Sequence, residues 1–352
     1  MKPSTLTRRD FIAQAAVGAG AALFVPQHFF IHKKQKLAKE TIGHGSYQYK
    51  VVEGWGILDA SQTPVKDCHE MVQDSKGRII LLTNETKNNV IIYDKSGKLI
   101  KSWGSEYPGA HGLTLWKEGG EDFLFITDHD RHQVYKTTTD GKVIMTLSYP
   151  KETGVYASAD EYKPTETAIA TNGDIYVADG YGKSYIIQYN AKGEYIRHFG
   201  GKGEADANIQ QAHGVCIDNR NKNKPSIVVS SREQNALKRF SMDGKYMATI
   251  PLPGAYVCRP VVNGNNIYAA VLVSKMPWNS GTGFVTILDK NDKVVSNPGG
   301  SQPAYNGGSL QQLSQVGNTF KNAHDVCIDD DKNLYVAQWN SGKTYPIKLE
   351  RV

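Results

Sequence analysis

The feature that most constrains the fold of this 352-residue chain is an internal repeat of roughly fifty residues. One copy is clearest over residues 164–196, where four short β-rich runs are separated by turn residues such as Asn172-Gly173. The other five copies start near His69, His111, His213, Arg259 and Ala323. The chain therefore contains six copies of one four-stranded unit.

This repeat predicts an all-β fold, a six-bladed β-propeller of four-stranded blades. A single meander cannot bury both faces of its sheet, whereas radial packing around a channel covers the faces and protects the edges. The first strand of each blade is expected to line the channel, and residues near 45–60, with Val51 and Val52, to close the ring. The pattern is similar to NHL repeats. A kelch or WD40 assignment is weaker, because no paired glycines or Gly-His to Trp-Asp pairs mark the blades.

The N-terminal segment differs in composition from the rest of the chain. Residues 1–36 hold six basic residues against one acid and so account for +5 of the formal net charge of +6. Arg8-Arg9 is followed by an apolar, small-residue stretch from Ala13 to Val25, the pattern of a twin-arginine export signal. A chance arginine pair before a short core helix is the alternative.

Two parts are therefore predicted, a signal with its basic flank at residues 1–36 and a single propeller domain at residues 45–352. The signal indicates export to the periplasm or the cell exterior, with the segment either cleaved or retained as an anchor. No later stretch is apolar enough to span a bilayer. The mixed charges of the remainder favour no nucleic-acid partner, and we expect a monomer.

Histidines recur at equivalent places in alternate blades. Aligned on the first strand, the copies place six residues at or within one residue of the same blade position, namely His69, His111, Glu166, His213, Arg259 and His324. Of these, His111, His213 and His324 fall on blades two, four and six and should converge on the channel axis. Three neutral imidazoles with an open fourth position are an arrangement typical of catalytic zinc. We expect the four cysteines to be buried core residues rather than ligands.

A second ion is predicted next to the first. Asp325 follows His324 and offers a carboxylate where the carbonyl groups of Met71 and Leu113 also point inward. Oxygen ligands of this kind suit calcium. Asp325 as a turn residue is the alternative.

Several motifs carry a resemblance to a known family. They are His111-Gly112-Leu113-Thr114-Leu115, Thr127-Asp128, His132-Gln133-Val134-Tyr135-Lys136, Val177-Ala178-Asp179-Gly180-Tyr181, Ala212-His213, Ser231-Arg232-Glu233-Gln234-Asn235 and Ala323-His324-Asp325-Val326. In this order and spacing, the chain resembles the peptidyl-α-hydroxyglycine α-amidating lyases over most of residues 65–345.

The resemblance implies a set of roles. It implies zinc on His111, His213 and His324, and calcium on the Met71 and Leu113 carbonyls and Asp325. It also implies that Tyr181 is the general base and that Arg232 holds the substrate carboxylate. The reaction would cleave the N–C bond of a carbinolamide in a peptide or small-molecule substrate, giving an amide and glyoxylate.

The chain also departs from the family pattern. Asn84 stands where the family has a second active-site arginine, which leaves Lys87 or Arg131 as substitutes, and Gly182 replaces a family cysteine. His69 is an additional histidine and a candidate fourth ligand. Three functions therefore stay open: an amidating-lyase-like enzyme, a non-catalytic metal-stabilised propeller that binds a protein or glycan partner in the cell envelope, and a different metal-assisted lyase or hydrolase.

Overall fold

Short antiparallel strands joined by tight turns make up almost all of the computed structural model, which describes residues 41–352. The predicted export signal lies outside the described residues. Three short 3-10 helices, at Lys151–Thr153, Ala159–Glu161 and Arg232–Gln234, are the only helical elements in the described range. No helix there is long and apolar enough to cross a membrane.

The strands form six blades, as the repeat predicts. Two strands precede the first blade, β1 (Thr41–His44) and β2 (Tyr47–Val52). Blade one contains β3 (Cys68–Gln73), β4 (Ile79–Thr83), β5 (Val90–Tyr93) and β6 (Leu99–Trp103). Blade two contains β7 (Ala110–Glu118), β8 (Glu121–Asp128), β9 (Gln133–Thr138) and β10 (Val143–Leu147). Blade three contains β11 (Glu166–Ile169), β12 (Ile175–Ala178), β13 (Tyr185–Tyr189) and β14 (Tyr195–Gly200).

The second half of the ring follows the same plan. Blade four contains β15 (Ala212–Asp218), β16 (Ser226–Ser231), β17 (Ala236–Ser241) and β18 (Tyr246–Pro251). Blade five contains β19 (Val257–Asn263), β20 (Asn266–Val271), β21 (Phe284–Leu288) and β22 (Val294–Ser296). A small hairpin follows, β23 (Tyr305–Asn306) and β24 (Ser309–Leu310). Blade six contains β25 (Ala323–Ile328), β26 (Leu334–Gln338) and β27 (Ile347–Arg351).

The ring is closed by pairing between the two ends of the described chain. Strand β2 pairs antiparallel with β27, so that Val51 lies opposite Leu349 and Val52 opposite Lys348. This confirms the predicted closing strand. Strand β1 adds a fifth strand outside it. The six first strands contact one another in sequence, β3 to β7, β11, β15, β19, β25 and back to β3, and so form the wall of the channel.

The core is divided among the six interfaces between neighbouring blades. In β4, for example, Ile79 and Leu81 pack toward blade six, whereas Ile80 and Leu82 pack toward blade two. A strand buried on both faces needs an unbroken apolar run instead of alternation, because successive side chains point to opposite faces. Burying each such side chain contributes about 1.5–3 kcal/mol. Packing between blades therefore holds the channel wall rigid.

Candidate metal centre and adjoining cavity

Irregular strand pairing positions the side chains at the centre of the ring. In five of the six first strands, the register against the second strand shifts once. Each shift falls at one of five residues that point to the centre of the ring, namely His69, His111, His213, Arg259 and His324. A bulge adds one residue to a strand and redirects its side chain. Glu166, in the sixth first strand, follows regular pairing.

The bulge after His111 depends on a glycine. A Cβ atom at Gly112 would lie 2.5 Å from the carbonyl oxygen of Thr165 in the next blade, so a side chain cannot fit. The Gly112 N–H donates to Thr127 Oγ1 (2.6 Å), and the equivalent Gly214 N–H donates to Ser230 Oγ (2.7 Å). Side-chain hydroxyls thus accept the backbone hydrogen bonds that strand pairing cannot provide at each bulge.

The three histidines predicted to bind zinc converge at the centre of the ring. The ring centroid of His111 lies 4.7 Å from that of His213 and 4.8 Å from that of His324, and the last two are 4.9 Å apart. All three side chains are buried. Residues more than 100 positions apart in the chain therefore form one cluster.

His69 belongs to the same cluster. Its ring centroid lies 4.8 Å from that of His111 and 4.9 Å from that of His324. The candidate ligand nitrogens of His69, His111 and His324 lie within 4.8 Å of one another. Both ring nitrogens of His69 are buried without a hydrogen-bond partner. A buried imidazole with no partner is costly, and a shared metal ion would satisfy it.

Backbone carbonyls orient two of the imidazoles. Nδ1 of His111 bonds the carbonyl oxygen of Thr165 (2.8 Å), and Nδ1 of His324 bonds that of His69 (2.9 Å). A carbonyl only accepts, so both Nδ1 atoms carry the proton and both Nε2 atoms present a lone pair. Metal-binding histidines commonly have this outer hydrogen bond. Nε2 of His324 and Nδ1 of His213 have no partner.

All four imidazoles are neutral at neutral pH. Burial is the main cause: it lowers the pKa of His69 to about 3 and holds the pKa values of His111, His213 and His324 well below the usual range. Neighbouring positive charge and mutual repulsion act in the same direction for these three. Metal ions bind the neutral imidazole. Four neutral rings, three of which have an unpartnered nitrogen, fit a transition-metal ion such as zinc.

Tyr181 lies directly against this cluster. It follows strand β12, and its hydroxyl is 2.9 Å from Nε2 of His111 and 3.1 Å from Nε2 of His213. Because Nε2 of His111 presents a lone pair, the tyrosine donates to it and accepts from Nε2–H of His213. Burial raises the pKa of Tyr181, and the positive charge of Arg232 opposes that rise.

Arg232 and Tyr181 open onto one cavity of about 280 Å³. The lining residues are Tyr181, Gln211, Arg232, Leu272, Trp278, His324 and Trp339. The guanidinium group of Arg232 lies 5.8 Å from the centroid of the Trp278 ring, and its Nη2 donates to Cys258 Sγ (2.9 Å). The cavity therefore combines one buried cation with an aromatic wall beside the imidazoles.

The residue at the family's second arginine position has a local structural role. Asn84 accepts a hydrogen bond from the backbone N–H of Asp67 (3.0 Å) and donates to its carboxylate (3.2 Å). Neither proposed substitute lines the cavity. Lys87 donates to the carbonyl oxygen of Ser61 (2.7 Å), and Arg131 is exposed.

The predicted calcium ligands also converge, but around a side chain. The guanidinium group of Arg259 donates to the carbonyl oxygens of Leu113 (2.8 Å) and Met71 (3.0 Å). It also donates to both carboxylate oxygens of Asp325, at 3.0 and 2.8 Å. Asp325 is therefore an ion-pair partner in the channel and not a turn residue. These groups do not fit a calcium ion while Arg259 lies among them.

Sequence reasoning assigned no functional role to three residues that the fold places near these groups, namely Arg259, His129 and Cys258. For Arg259, the sequence did contain a signal, because this residue aligns in the repeat with the histidines that face the channel. The ring of His129 lies 5.5 Å from that of Tyr181 and 6.0 Å from that of His111. Cys258 lies within ligand reach of His213 and His324, although burial raises the pKa of its thiol.

Known proteins resemble this chain in sequence and in fold. No protein-family model matches the chain. Peptidyl-alpha-hydroxyglycine alpha-amidating lyase 1 of Drosophila melanogaster is 28% identical over 276 residues, covering 70% of this chain and 46% of that protein. Peptidyl-alpha-hydroxyglycine alpha-amidating lyase 2 of the same organism is 34% identical over 115 residues, covering 32% and 27% respectively. The chain is therefore similar in sequence to amidating lyases.

The chain spans about half or less of the length of those two proteins. Among solved structures, a gluconolactonase of Xanthomonas campestris matches with a TM-score of 0.59 and 12% sequence identity, covering 88% of this chain and 94% of that one. At that identity the match supports the propeller fold alone.

Proposed function

We propose that the protein is a metal-dependent carbon–nitrogen lyase that cleaves a carbinolamide of the peptidyl-α-hydroxyglycine type into an amide and glyoxylate. One observation carries the proposal: the hydroxyl of Tyr181 bonds two of the clustered imidazoles and shares a cavity with Arg232. A proton acceptor, a cation for a carboxylate and a set of metal ligands are thereby adjacent. Similarity to amidating lyases supports the same reaction.

The imidazoles of His111, His213 and His324 would hold the metal ion, which we propose to be zinc, with His69 as a fourth ligand. A bound metal ion would polarise the substrate hydroxyl and lower its pKa. The chain keeps the four rings neutral by burial, fixes two of them through carbonyl hydrogen bonds, and keeps bulk water away from the cluster.

Tyr181 would move the proton in this reaction. The substrate hydroxyl gives its proton to the phenolate, and the oxygen electron pair forms the carbonyl group of glyoxylate. The N–C bond then breaks, and its electrons leave with the amide nitrogen, which takes up the proton. No atom is added, so the substrate is divided into two products without a further reactant. Because burial raises its pKa, Tyr181 needs neighbouring positive charge to act as a base.

Arg232 would position the substrate through its carboxylate. A guanidinium group can hold a carboxylate with two parallel hydrogen bonds, and the low polarity around Trp278 and Leu272 strengthens such a bond. Asn84 leaves Arg232 as the cationic residue that lines the cavity in the described chain. We therefore expect weaker substrate binding than a site with two arginines would give.

The proposal is tested by metal analysis of the purified protein together with a glyoxylate-release assay on α-hydroxyglycine peptides. Bound metal in about one equivalent and glyoxylate release that a chelator abolishes would support it. Bound metal without turnover would instead favour the non-catalytic binding propeller of the cell envelope. Turnover of a different carbinol would favour another metal-assisted lyase or hydrolase.

We also propose that the protein is exported by the twin-arginine route and acts in the periplasm or outside the cell. Arg8-Arg9 before an apolar stretch supports this. The route carries folded proteins, which suits a domain whose central cluster is buried.

A further inference from the structure

The inner end of blade five contributes a cation to the channel. Arg259 extends from a bulge in β19 and is 7% exposed. Its partners come from other blades: Met71 and Glu70 from β3, Leu113 from β7 and Asp325 from β25. Glu166 of β11 lies 3.6 Å from Nε. One side chain therefore links five of the six first strands.

This guanidinium group makes four hydrogen bonds and two further ion-pair contacts with the protein. A guanidinium group has five N–H donors. Nε bonds one oxygen of Asp325, and Nη2 bonds the other together with the Met71 carbonyl. Nη1 bonds the Leu113 carbonyl and lies 3.4 Å from Oε2 of Glu70. All three nitrogens are thus engaged with groups of the protein, so the role of this arginine is internal.

The oxygen atoms around the guanidinium group are held in place by the rest of the fold. The backbone N–H of Met71 donates to Oδ2 of Asp325 (2.9 Å), and the N–H of Leu113 donates to Oε2 of Glu70 (2.6 Å). The carboxylates are thus fixed by the same strands whose carbonyl groups point at the cation. Carbonyls and carboxylates directed at one point form the surroundings that a hard cation requires.

We propose that Arg259 is a built-in cation that takes the place of a structural calcium ion, so that the protein needs no calcium. The inference goes beyond the proposed lyase function and does not depend on it. It requires that the groups around the guanidinium form a latent calcium site. Calcium takes six to eight oxygen ligands, and two oxygens of Asp325, the Met71 and Leu113 carbonyls, and the carboxyl groups of Glu70 and Glu166 can supply them.

The test compares wild type with Arg259→Ala, each stripped of calcium with a calcium-selective chelator and then supplied with millimolar calcium. Calcium content and Tm are measured, and neither depends on enzymatic activity. We expect wild type to hold no calcium and to keep its Tm. Arg259→Ala should melt on the order of 10 °C lower without calcium, because it leaves a buried carboxylate unpaired. It should bind about one calcium ion and recover at least half of that loss.

Two further variants serve as controls. The double variant Arg259→Ala with Asp325→Ala should lose the calcium response, because the main carboxylate is gone. Arg259→Lys keeps a cation but offers three donors instead of five, and should fold with an intermediate Tm and no calcium requirement. It keeps the test decisive if Arg259→Ala does not fold.

Three results would overturn the inference: about one equivalent of calcium in wild type, a calcium-dependent Tm of wild type, or an Arg259→Ala protein that folds and ignores calcium. None of these results would bear on the proposed lyase activity, which is tested separately by glyoxylate release.

Discussion

The hydroxyl of Tyr181, in blade three, lies 2.9 Å from Nε2 of His111 in blade two. Because Nδ1 of His111 donates to the Thr165 carbonyl, this Nε2 is also the nitrogen that would bind a metal ion. The tyrosine proton and the metal ion therefore compete for one lone pair. Metal binding would remove the acceptor of the Tyr181 proton and favour its loss, which is what a general base requires.

Tyr181→Phe should abolish turnover and leave the metal content and the fold unchanged, because it removes only the hydroxyl. General-base catalysis commonly contributes about 10²–10⁴-fold, so kcat should fall by that order. The measurement is glyoxylate release at saturating substrate. Tyr176→Phe is a matched control, since it removes a hydroxyl that bonds the carbonyl oxygen of Met242 and contacts none of the clustered imidazoles. Full activity of the Tyr181 variant would exclude this tyrosine as the base.

His213→Ala should lower metal content and activity together, because a site of few imidazoles tolerates the loss of one poorly. His69→Ala should weaken metal binding as well, since both nitrogens of that ring lack any other partner. His132→Ala is the control, as its imidazole bonds the carbonyl oxygen of Tyr162 away from the channel. The readout is metal affinity in competition with a chromogenic chelator. Unchanged metal affinity in the His69 variant would mean that His69 is not a ligand and that the metal ion is held by His111, His213 and His324.

The buried imidazoles should make the metal-free protein sensitive to mild acid. Burial lowers their pKa values in the folded protein, so the unfolded chain takes up protons first as pH falls below about 6.5. Each imidazole then removes about 1.4 kcal/mol of stability per pH unit until its folded pKa is reached. At higher pH, both states are neutral and the effect vanishes.

The comparison of wild type with His213→Ala isolates this effect. Glu70, Glu166 and Asp179 have raised pKa values, mainly through burial, and oppose the trend in both proteins. Their contribution cancels in the difference. Between about pH 6.5 and 5, wild type should lose about 1.4 kcal/mol per pH unit more than the variant. Parallel curves in denaturant titrations would mean that the His213 ring is not buried and neutral.

The architecture and the histidine cluster could be predicted from sequence, whereas the partners of individual side chains could not. The repeat specifies six blades, and residues at equivalent repeat positions must face one channel, so the convergence of His111, His213 and His324 follows from symmetry. The role of Arg259 does not follow, because its five partner residues belong to four other segments of the chain. The local bond of Asn84 to Asp67 depends likewise on loop geometry that repeat spacing does not specify.

Replacing Arg8 and Arg9 with lysine should trap the protein in the cytoplasm, because twin-arginine export reads the arginine pair and not its charge. Fractionation followed by immunodetection gives the readout. A variant with Lys33 and Lys34 exchanged for arginine keeps the overall charge and should be exported normally. Export of both variants would show that another route carries the protein.

Arg232→Ala should chiefly raise KM if the residue only anchors a carboxylate, since that interaction is the same in the ground state and the transition state.

The structure adds a second effect of the Arg232 variant, on kcat and on its pH dependence. Arg232 lies beside Tyr181, and its positive charge counteracts the burial that raises the pKa of the tyrosine. Its removal should therefore also lower kcat and move the ascending limb of the rate profile, where activity rises as Tyr181 loses its proton, to higher pH. Arg232→Lys restores the charge but not the bidentate geometry, so it should recover kcat and the pH profile while KM stays high. If the alanine variant changed KM alone, without a shift in the pH profile, Arg232 would act on the substrate and not on Tyr181.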